Sequence, residues 1–249
     1  MLTKLQFVLK RVFTNPNGTI QAPSYTMLTT LRYIFNRVFA KSKLSIYTTL
    51  HTTKYVLSDL AKAKRFKNRF TLFDYSIQCS RTDGLFLEFG VASGESINYI
   101  ASLIPSEKIY GFDCFKGLPE NWNMLPKGHF RTDILPPVRE NVELVVGLFQ
   151  NTLDKFLQEH ENPVRFLHLD ADLYSSTIYV LKELIEQRRI QEGTVVQFDQ
   201  LFNYDNWWKD GEYRAFQEMV KRNKVRYEIL GYSLDGHFGP GQVAIRLKR

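Results

Sequence analysis

The sequence contains few cysteines and no long uninterrupted apolar run. Its 249 residues include two cysteines, Cys79 and Cys114. Two cysteines cannot build a disulfide framework, and their separation lacks metal-site spacing, which favours a reducing, cytoplasmic location. No uncharged apolar stretch approaches the roughly 20 residues that a membrane-spanning helix needs. The sequence therefore predicts a protein without a transmembrane segment.

Acidic residues are almost absent from the first 70 positions. This part holds thirteen lysines and arginines against one acid, Asp59, although the whole chain has a formal net charge of only +7. We expect residues 1–82 to form a basic helical extension and residues 83–249 to form the main domain. The charge suggests that residues 1–70 contact an anionic surface or carrier. A helical cap over the domain, with the basic residues on its solvated face, is the favoured interpretation, and a homo-oligomer contact is a further alternative.

From residue 84 onward, short apolar runs alternate with amphipathic runs. The runs predict strands at 85–89, 108–112, 144–146, 164–169, 194–198, 226–231 and 242–247, and helices at 96–103, 152–160, 175–188 and 212–222. Strands that alternate with helices are typical of a parallel sheet covered on both faces. The last two strands have no helix between them, so we expect them to be antiparallel neighbours. The predicted fold class is α/β.

An acidic residue stands at the end of each of four predicted strands. These acids are Glu88, Asp113, Asp170 and Asp199. Ligands of open α/β sheets bind at the carboxyl ends of the strands. A single acid there commonly caps the helix that follows, but four in succession favour a ligand site.

The first of these strand ends leads into a glycine turn, with the sequence EFGVASGES from Glu88 to Ser96. Gly90 and Gly94 let the backbone approach a ligand closely, and the helix that follows offers unpaired N–H groups to an anion. The spacing is not the G-x-G-x-x-G of dinucleotide-binding proteins. Asp113, at the end of the next strand, is suited to accept both hydroxyls of a ribose. The pattern indicates a nucleotide-like or carboxylate-bearing ligand.

Six stretches of the sequence, taken together, resemble a known family. They are Phe86–Ser96, Gly111–Glu120, Leu144–Leu153, Phe166–Thr177, Gly193–Tyr204 and Gly211–Phe216. The sequence is similar to class I S-adenosylmethionine-dependent methyltransferases, and more narrowly to the macrocin O-methyltransferase-like group. This resemblance implies a Rossmann-like, seven-stranded, mostly parallel sheet with an antiparallel last strand. It also implies O-methylation of a hydroxyl on a sugar-containing or other small-molecule natural product.

The resemblance also implies a cofactor site for S-adenosyl-L-methionine. Carried over, this site comprises Glu88, Gly90, Ser93, Gly94, Ser96, Asp113, Phe115, Gly147, Phe149 and Asp170. In the family pattern the first strand end lines the methionine part of the cofactor, and Asp113 takes the ribose hydroxyls. Phe115 would lie near the adenosine, and Gly147 and Phe149 would border the adenine.

A second group of polar residues follows the later strands. Asp170, Asp199 and Gln200 could offer three oxygen ligands to one Mg²⁺, as related enzymes do. Gln200 stands where the family usually has an acid, so a Mg²⁺ site and a metal-free site both stay open. Asp170 and Asp172 are the candidate catalytic bases. His168 lies within a predicted strand and is interpreted as a structural core histidine.

Three other functions remain as alternatives to a small-molecule O-methyltransferase. The basic extension favours an RNA methyltransferase, although it carries no RNA-binding motif. A nicotinamide-dependent enzyme is disfavoured by the glycine spacing. A non-catalytic module that binds S-adenosylmethionine is conceivable because of Gln200.

Overall fold

The computed structural model describes residues 46–132, 134–234 and 240–248. The chain divides into two compact units, Met1–Lys62 and Ala63–Arg249. In the first unit, helix α1 covers Ile46–Ser58. The helices expected before residue 46 lie outside the described residues, and the expected boundary at residue 82 stays a prediction.

The second unit is built on one sheet. Its strands are β1 (Lys64–Phe66), β2 (Leu85–Phe89), β3 (Ile109–Asp113), β4 (Val142–Val146), β5 (Val164–Leu169), β6 (Val195–Phe202), β7 (Arg226–Leu234) and β8 (Gly241–Lys248). Its helices are α2 (Arg69–Gln78), α3 (Glu95–Leu103), α4 (Phe149–Glu159), α5 (Tyr174–Glu186) and α6 (Gly211–Asn223). The strand order is β1-β7-β8-β6-β5-β2-β3-β4. β8 runs antiparallel to both of its neighbours, and the other pairs are parallel. The predicted Rossmann-like α/β fold with an antiparallel last strand is confirmed.

The largest differences from the sequence prediction concern β1 and β6. The sheet has eight strands rather than seven, because β1 pairs with the exposed edge of β7. This three-residue strand begins with two charged residues, so it has no apolar alternation that could reveal it. β6 runs on to Phe202 rather than stopping at 198, and its pairing with β8 is irregular between Phe198 and Phe202. Asp199 and Gln200 therefore belong to the strand itself.

The direction of strand addition reverses between β2 and β5. From β2 the chain adds β3 and β4 on one side, and then returns to place β5 and β6 on the other. The amide of Asp170 donates a hydrogen bond to the carbonyl of Phe89 (2.9 Å), and the amide of Gly90 donates to the carbonyl of Phe112 (2.9 Å). Ligands of open α/β sheets bind in the crevice outside such a reversal.

Helix α2 covers one face of the sheet beside this crevice. Asn68 caps it, because its side chain accepts a hydrogen bond from the Thr71 amide (3.0 Å) and Thr71 Oγ1 accepts from the Asn68 amide. This reciprocal capping box fixes where the helix begins. Phe73 of α2 is fully buried and packs edge-on against Phe166 of β5. The cap and the core contact together hold the first turn of α2 beside the end of the sheet.

None of the helices in the described parts of the chain is long and apolar enough to span a membrane.

Candidate functional site

An open cavity with a volume of about 240 Å³ lies over the reversal between β2 and β5. Its lining includes eight of the residues proposed from the sequence, namely Gly90, Asp113, Gly147, Phe149, Asp170, Asp172, Asp199 and Gln200. Residues at or near the carboxyl ends of five strands, β2 to β6, thus share one cavity.

The glycine turn forms the floor of this cavity. Gly90 has a φ of +94°, and a Cβ atom at this position would lie 1.9 Å from the carbonyl oxygen of Asp170. Only glycine can therefore bring the end of β2 this close to the end of β5. Gly94 has a φ of +81° and precedes α3. Gly90 thus allows the two strand ends to meet at the cavity, and Gly94 lies outside the cavity lining.

Asp113 organises the same turn from the end of β3. Its Oδ2 accepts hydrogen bonds from the amides of Val91 and Ala92 (both 2.9 Å), and its Oδ1 accepts from the amide of Phe115 (2.7 Å). A carboxylate offers about four acceptor positions, so about one remains for a ligand hydroxyl. Asp113 can therefore fix the turn and still accept from a ribose.

Five of the proposed cofactor residues lie away from the cavity lining, and Gly94 is one of them. Glu88 is fully buried and accepts a hydrogen bond from Ser96 Oγ (2.8 Å). Phe115 is 6% exposed and packs in the core with residues such as Ile97. Ser93 is exposed on the turn. Direct contact between these residues and a cofactor stays a prediction.

A buried histidine between two carboxylates, an arrangement that the sequence analysis did not identify, lies behind the turn. His168 pairs with Glu88 in the ladder between β5 and β2, so both side chains share one face. Its Nδ1 is 3.2 Å from Glu88 Oε2, and its Nε2 is 3.7 Å from Asp199 Oδ1. Burial lowers the pKa of His168, but the carboxylates of Glu88 and Asp199 outweigh it and raise the pKa to about 10. His168 is buried, as expected, and it is a charged link between two strand ends.

The part of the cavity at the ends of β5 and β6 is acidic. Burial, together with the nearby carboxylates of Asp199 and Asp172, raises the pKa of Asp170 well above its usual range. Burial and the charges of Asp199 and Asp113 raise the pKa of Asp172 to about 7. Asp172 Oδ1 and Gln200 Oε1 are buried oxygens without a hydrogen-bond partner among the described residues. Two acceptors are thus available to a donor group of a ligand.

Glu212, at the start of α6, is a second residue that sequence reasoning missed. It is fully buried, and its carboxylate accepts hydrogen bonds from the amides of Ala171 (3.3 Å) and Gln200 (3.0 Å). These two amides directly follow Asp170 and Asp199, so Glu212 ties together the ends of β5 and β6. Nothing in the local sequence signals this role, since the contact depends on where α6 packs.

The cavity residues do not fit a Mg²⁺ ion. In the described part of the chain, no group of three or more His, Cys, Asp or Glu side chains is arranged to hold a metal. Asp199 instead faces two cationic groups, His168 Nε2 at 3.7 Å and Arg69 Nη1 at 3.6 Å. Gln200 supplies a neutral amide where a further negative ligand would be needed. The predicted Mg²⁺ site is therefore not confirmed.

The segment at residues 87–201 matches the family model Methyltransf_24, a methyltransferase domain. It contains every lining residue of the cavity except Arg69. The match supports an S-adenosylmethionine-dependent methyltransferase, and it does not identify the narrower macrocin-like group. No curated protein matches the sequence at a significant level.

Three solved structures illustrate what the chain is similar to. CalS11, a TDP-rhamnose 3′-O-methyltransferase of calicheamicin biosynthesis, is 19% identical over 91% of this chain and 96% of its own, with a TM-score of 0.49. A Streptococcus mutans protein assigned as a methyltransferase, in complex with SAH, is 16% identical over 73% of this chain and 99% of its own, with a TM-score of 0.43. A Clostridium thermocellum protein assigned as an rRNA methylase is 17% identical over 73% of this chain and 98% of its own, with a TM-score of 0.46. Similarities at this level do not indicate a substrate for this chain.

Proposed function

We propose that the protein transfers a methyl group from S-adenosyl-L-methionine to a hydroxyl of a small molecule. The observation that carries this proposal is that Gly90, Asp113 and Asp172 line one cavity at the strand reversal. The glycine turn and Asp113 suit a nucleoside, and Asp172 suits a proton transfer. The methyltransferase-domain match over residues 87–201 supports the same reaction class.

On the cofactor side of the cavity, the residues would bind the cofactor and fix its orientation. Asp113 would accept a ribose hydroxyl with its remaining acceptor capacity, and Gly147 and Phe149 would border the adenine. Gly147 has a φ of +151°, and a Cβ atom there would lie 2.7 Å from the side chain of Thr152. Both the backbone conformation and this close contact favour glycine at the position. The bound cofactor supplies an already activated methyl group on a sulfonium, and the protein needs to hold the acceptor in line with it.

On the acceptor side, a hydroxyl must lose its proton as it attacks. Asp172 lines the cavity and presents a buried oxygen without a hydrogen-bond partner among the described residues, so it is the preferred base, with Asp170 as the second candidate. Proton removal by a positioned carboxylate contributes about 10²–10⁴-fold to a rate. The resemblance seen in the sequence favours a sugar-containing or other natural-product acceptor.

Replacing Asp113 by Ala is expected to weaken S-adenosylmethionine binding by roughly 100-fold. The change removes a charged acceptor from the ribose and releases the amides of Val91 and Ala92 from the turn. Isothermal titration calorimetry measures this loss directly. Asp210→Ala is the matched control, because Asp210 also accepts a hydrogen bond from a backbone amide but lies outside the cavity lining. Equal affinity in Asp113→Ala and Asp210→Ala would contradict the assignment.

Replacing Asp172 by Asn is expected to lower methyl transfer by about 10²–10⁴-fold while cofactor affinity changes by no more than a few-fold. Transfer is followed by mass spectrometry as the gain of one methylene on a panel of sugars, sugar nucleotides and phenols. Asp83→Asn changes an exposed carboxylate that pairs with Arg81 and should leave transfer unchanged. Full transfer in Asp172→Asn would remove this residue from the chemistry and leave Asp170 as the base. Cofactor binding without transfer to any of these acceptors would favour the RNA methyltransferase or the non-catalytic module.

A further inference from the structure

Glu212 is a fully buried carboxylate that the proposed chemistry does not use. It lies in the first turn of α6 and is not among the residues that line the cavity. A carboxylate that is removed from water destabilises the fold unless hydrogen bonds compensate it. Two backbone amides and the positive end of the α6 dipole provide this compensation. The residues that donate these amides therefore indicate the role of Glu212.

The Glu212 carboxylate joins two segments that carry cavity residues. Its Oε1 accepts a hydrogen bond from the amide of Ala171 (3.3 Å), the residue before Asp172, and its Oε2 accepts from the amide of Gln200 (3.0 Å). Asp172 and Gln200 both line the cavity, and each has a buried side-chain oxygen without a hydrogen-bond partner among the described residues. One carboxylate thus links the two backbone segments that present these oxygens.

The backbone conformation of Asp172 depends on its surroundings. Asp172 has a φ of +57°, in the left-handed region that is unfavourable for residues other than glycine. Residues keep such a conformation where the structure around them holds it, and they often lie at functional sites. The start of α6 packs against this turn, because a Cβ atom at Gly211 would lie 3.3 Å from the carbonyl oxygen of Asp172. The hydrogen bond from Ala171 to Glu212 fixes the peptide just before it.

From these contacts we propose that Glu212 is a positioning residue for methyl transfer and that it acts through Asp172. It holds the turn at Asp172 beside Gln200, so that the base meets the acceptor hydroxyl at a fixed distance. The inference rests on the proposed function, since it concerns the base of the same reaction. It adds a residue of α6, outside the segment at residues 87–201 that matches the methyltransferase family.

The test is a double-mutant cycle on the rate of methyl transfer. Glu212→Gln, Asp172→Asn and the double variant are compared in the full-length protein, with saturating S-adenosylmethionine and the panel of sugars, sugar nucleotides and phenols. We expect Glu212→Gln alone to lower turnover by roughly 10- to 100-fold, because a displacement of about 1 Å can cost 10²-fold in rate. In the Asp172→Asn background, the same change should alter turnover by no more than about two-fold, since the base that Glu212 positions is already lost.

Two controls separate positioning from a general loss of stability. Calorimetry with S-adenosylhomocysteine should give an affinity for Glu212→Gln within about two-fold of the wild type. Ser233→Ala removes a buried hydrogen bond to Gln242 (2.6 Å) that lies outside the cavity lining, so it should lower stability and leave turnover unchanged. If Glu212→Gln does not fold, Glu212→Asp takes its place in the cycle, because it keeps the carboxylate and shortens the side chain by one methylene.

Three results would overturn the inference and leave the proposed function intact. They are unchanged turnover in the Glu212 variant, an equal loss of turnover in the wild-type and Asp172→Asn backgrounds, and a loss of cofactor affinity as large as the loss of turnover. A wild type that methylates none of the acceptors would contradict the proposed function, and the inference with it.

Discussion

Replacing His168 by Gln is expected to lower the free energy of unfolding by about 3–5 kcal/mol. The imidazolium lies between Glu88 and Asp199, and both its own side chain and that of Glu88 are fully inaccessible to water. A neutral amide in its place leaves the buried carboxylate of Glu88 without a cation and leaves Asp199 with Arg69 alone. Denaturant unfolding of the variant measures the loss. His129→Gln, at an exposed histidine, should leave stability within about 0.5 kcal/mol of the wild type.

Two further measurements distinguish a loss of the His168 charge from a loss of side-chain packing. Adding Glu88→Gln to His168→Gln should restore part of the lost stability, because it removes one of the uncompensated charges. Because the pKa of His168 is raised from 6.5 to about 10, its contribution to stability is complete below about pH 6.5 and is lost as the pH rises through about 10. The wild type should lose stability over this window, and His168→Gln should lack that component. A wild type and a variant with the same pH dependence would mean that His168 is a neutral core residue.

Replacing Gly90 by Ala is expected to abolish measurable S-adenosylmethionine binding and to lower the free energy of unfolding by about 2–5 kcal/mol. The new methyl group would lie 1.9 Å from the carbonyl oxygen of Asp170 and overlap it. The alanine would also have to adopt a φ of +94°, which strains an L-residue. The ends of β2 and β5 would have to separate, which distorts the floor of the cavity.

Gly128→Ala is the control for backbone strain alone. Gly128 has a φ of +84°, but a Cβ atom there meets no atom within 4 Å. We expect this variant to lose only about 1–2 kcal/mol of stability and to keep its cofactor affinity. If Gly90→Ala behaved like Gly128→Ala, close approach of the two strand ends would not be required for binding.

Local patterns predicted most of the sheet and much of the cavity. Apolar runs that end in an acid predicted β2, β3 and β5 at or within one residue of their bounds, because burial on both faces gives central parallel strands a continuous apolar sequence. The same strand ends contributed Asp113 and Asp170, which line the cavity. This success follows from topology, since the carboxyl ends of parallel strands must meet at one edge.

The missed features depend on contacts between residues that are distant in the sequence. The ion pair between Glu88 and His168 requires the register between β2 and β5, which no local pattern encodes. One usable signal was present, since both are polar residues inside otherwise apolar strands. The packing of α2 and α6 against the sheet brings Arg69 to the cavity lining and Glu212 to the backbone at the ends of β5 and β6. The sequences around these two residues predict that a helix begins there. They do not predict which part of the sheet the first turn of that helix contacts.

The central claim is that the cavity over the strand reversal binds S-adenosylmethionine. The most direct test is a calorimetric titration of the full-length protein with S-adenosylhomocysteine, compared with NAD under the same conditions. We predict binding to a single site with a dissociation constant between about 1 µM and 1 mM, the usual range for metabolite sites, and no measurable binding of NAD. No binding of S-adenosylhomocysteine, or equal binding of NAD, would contradict the claim.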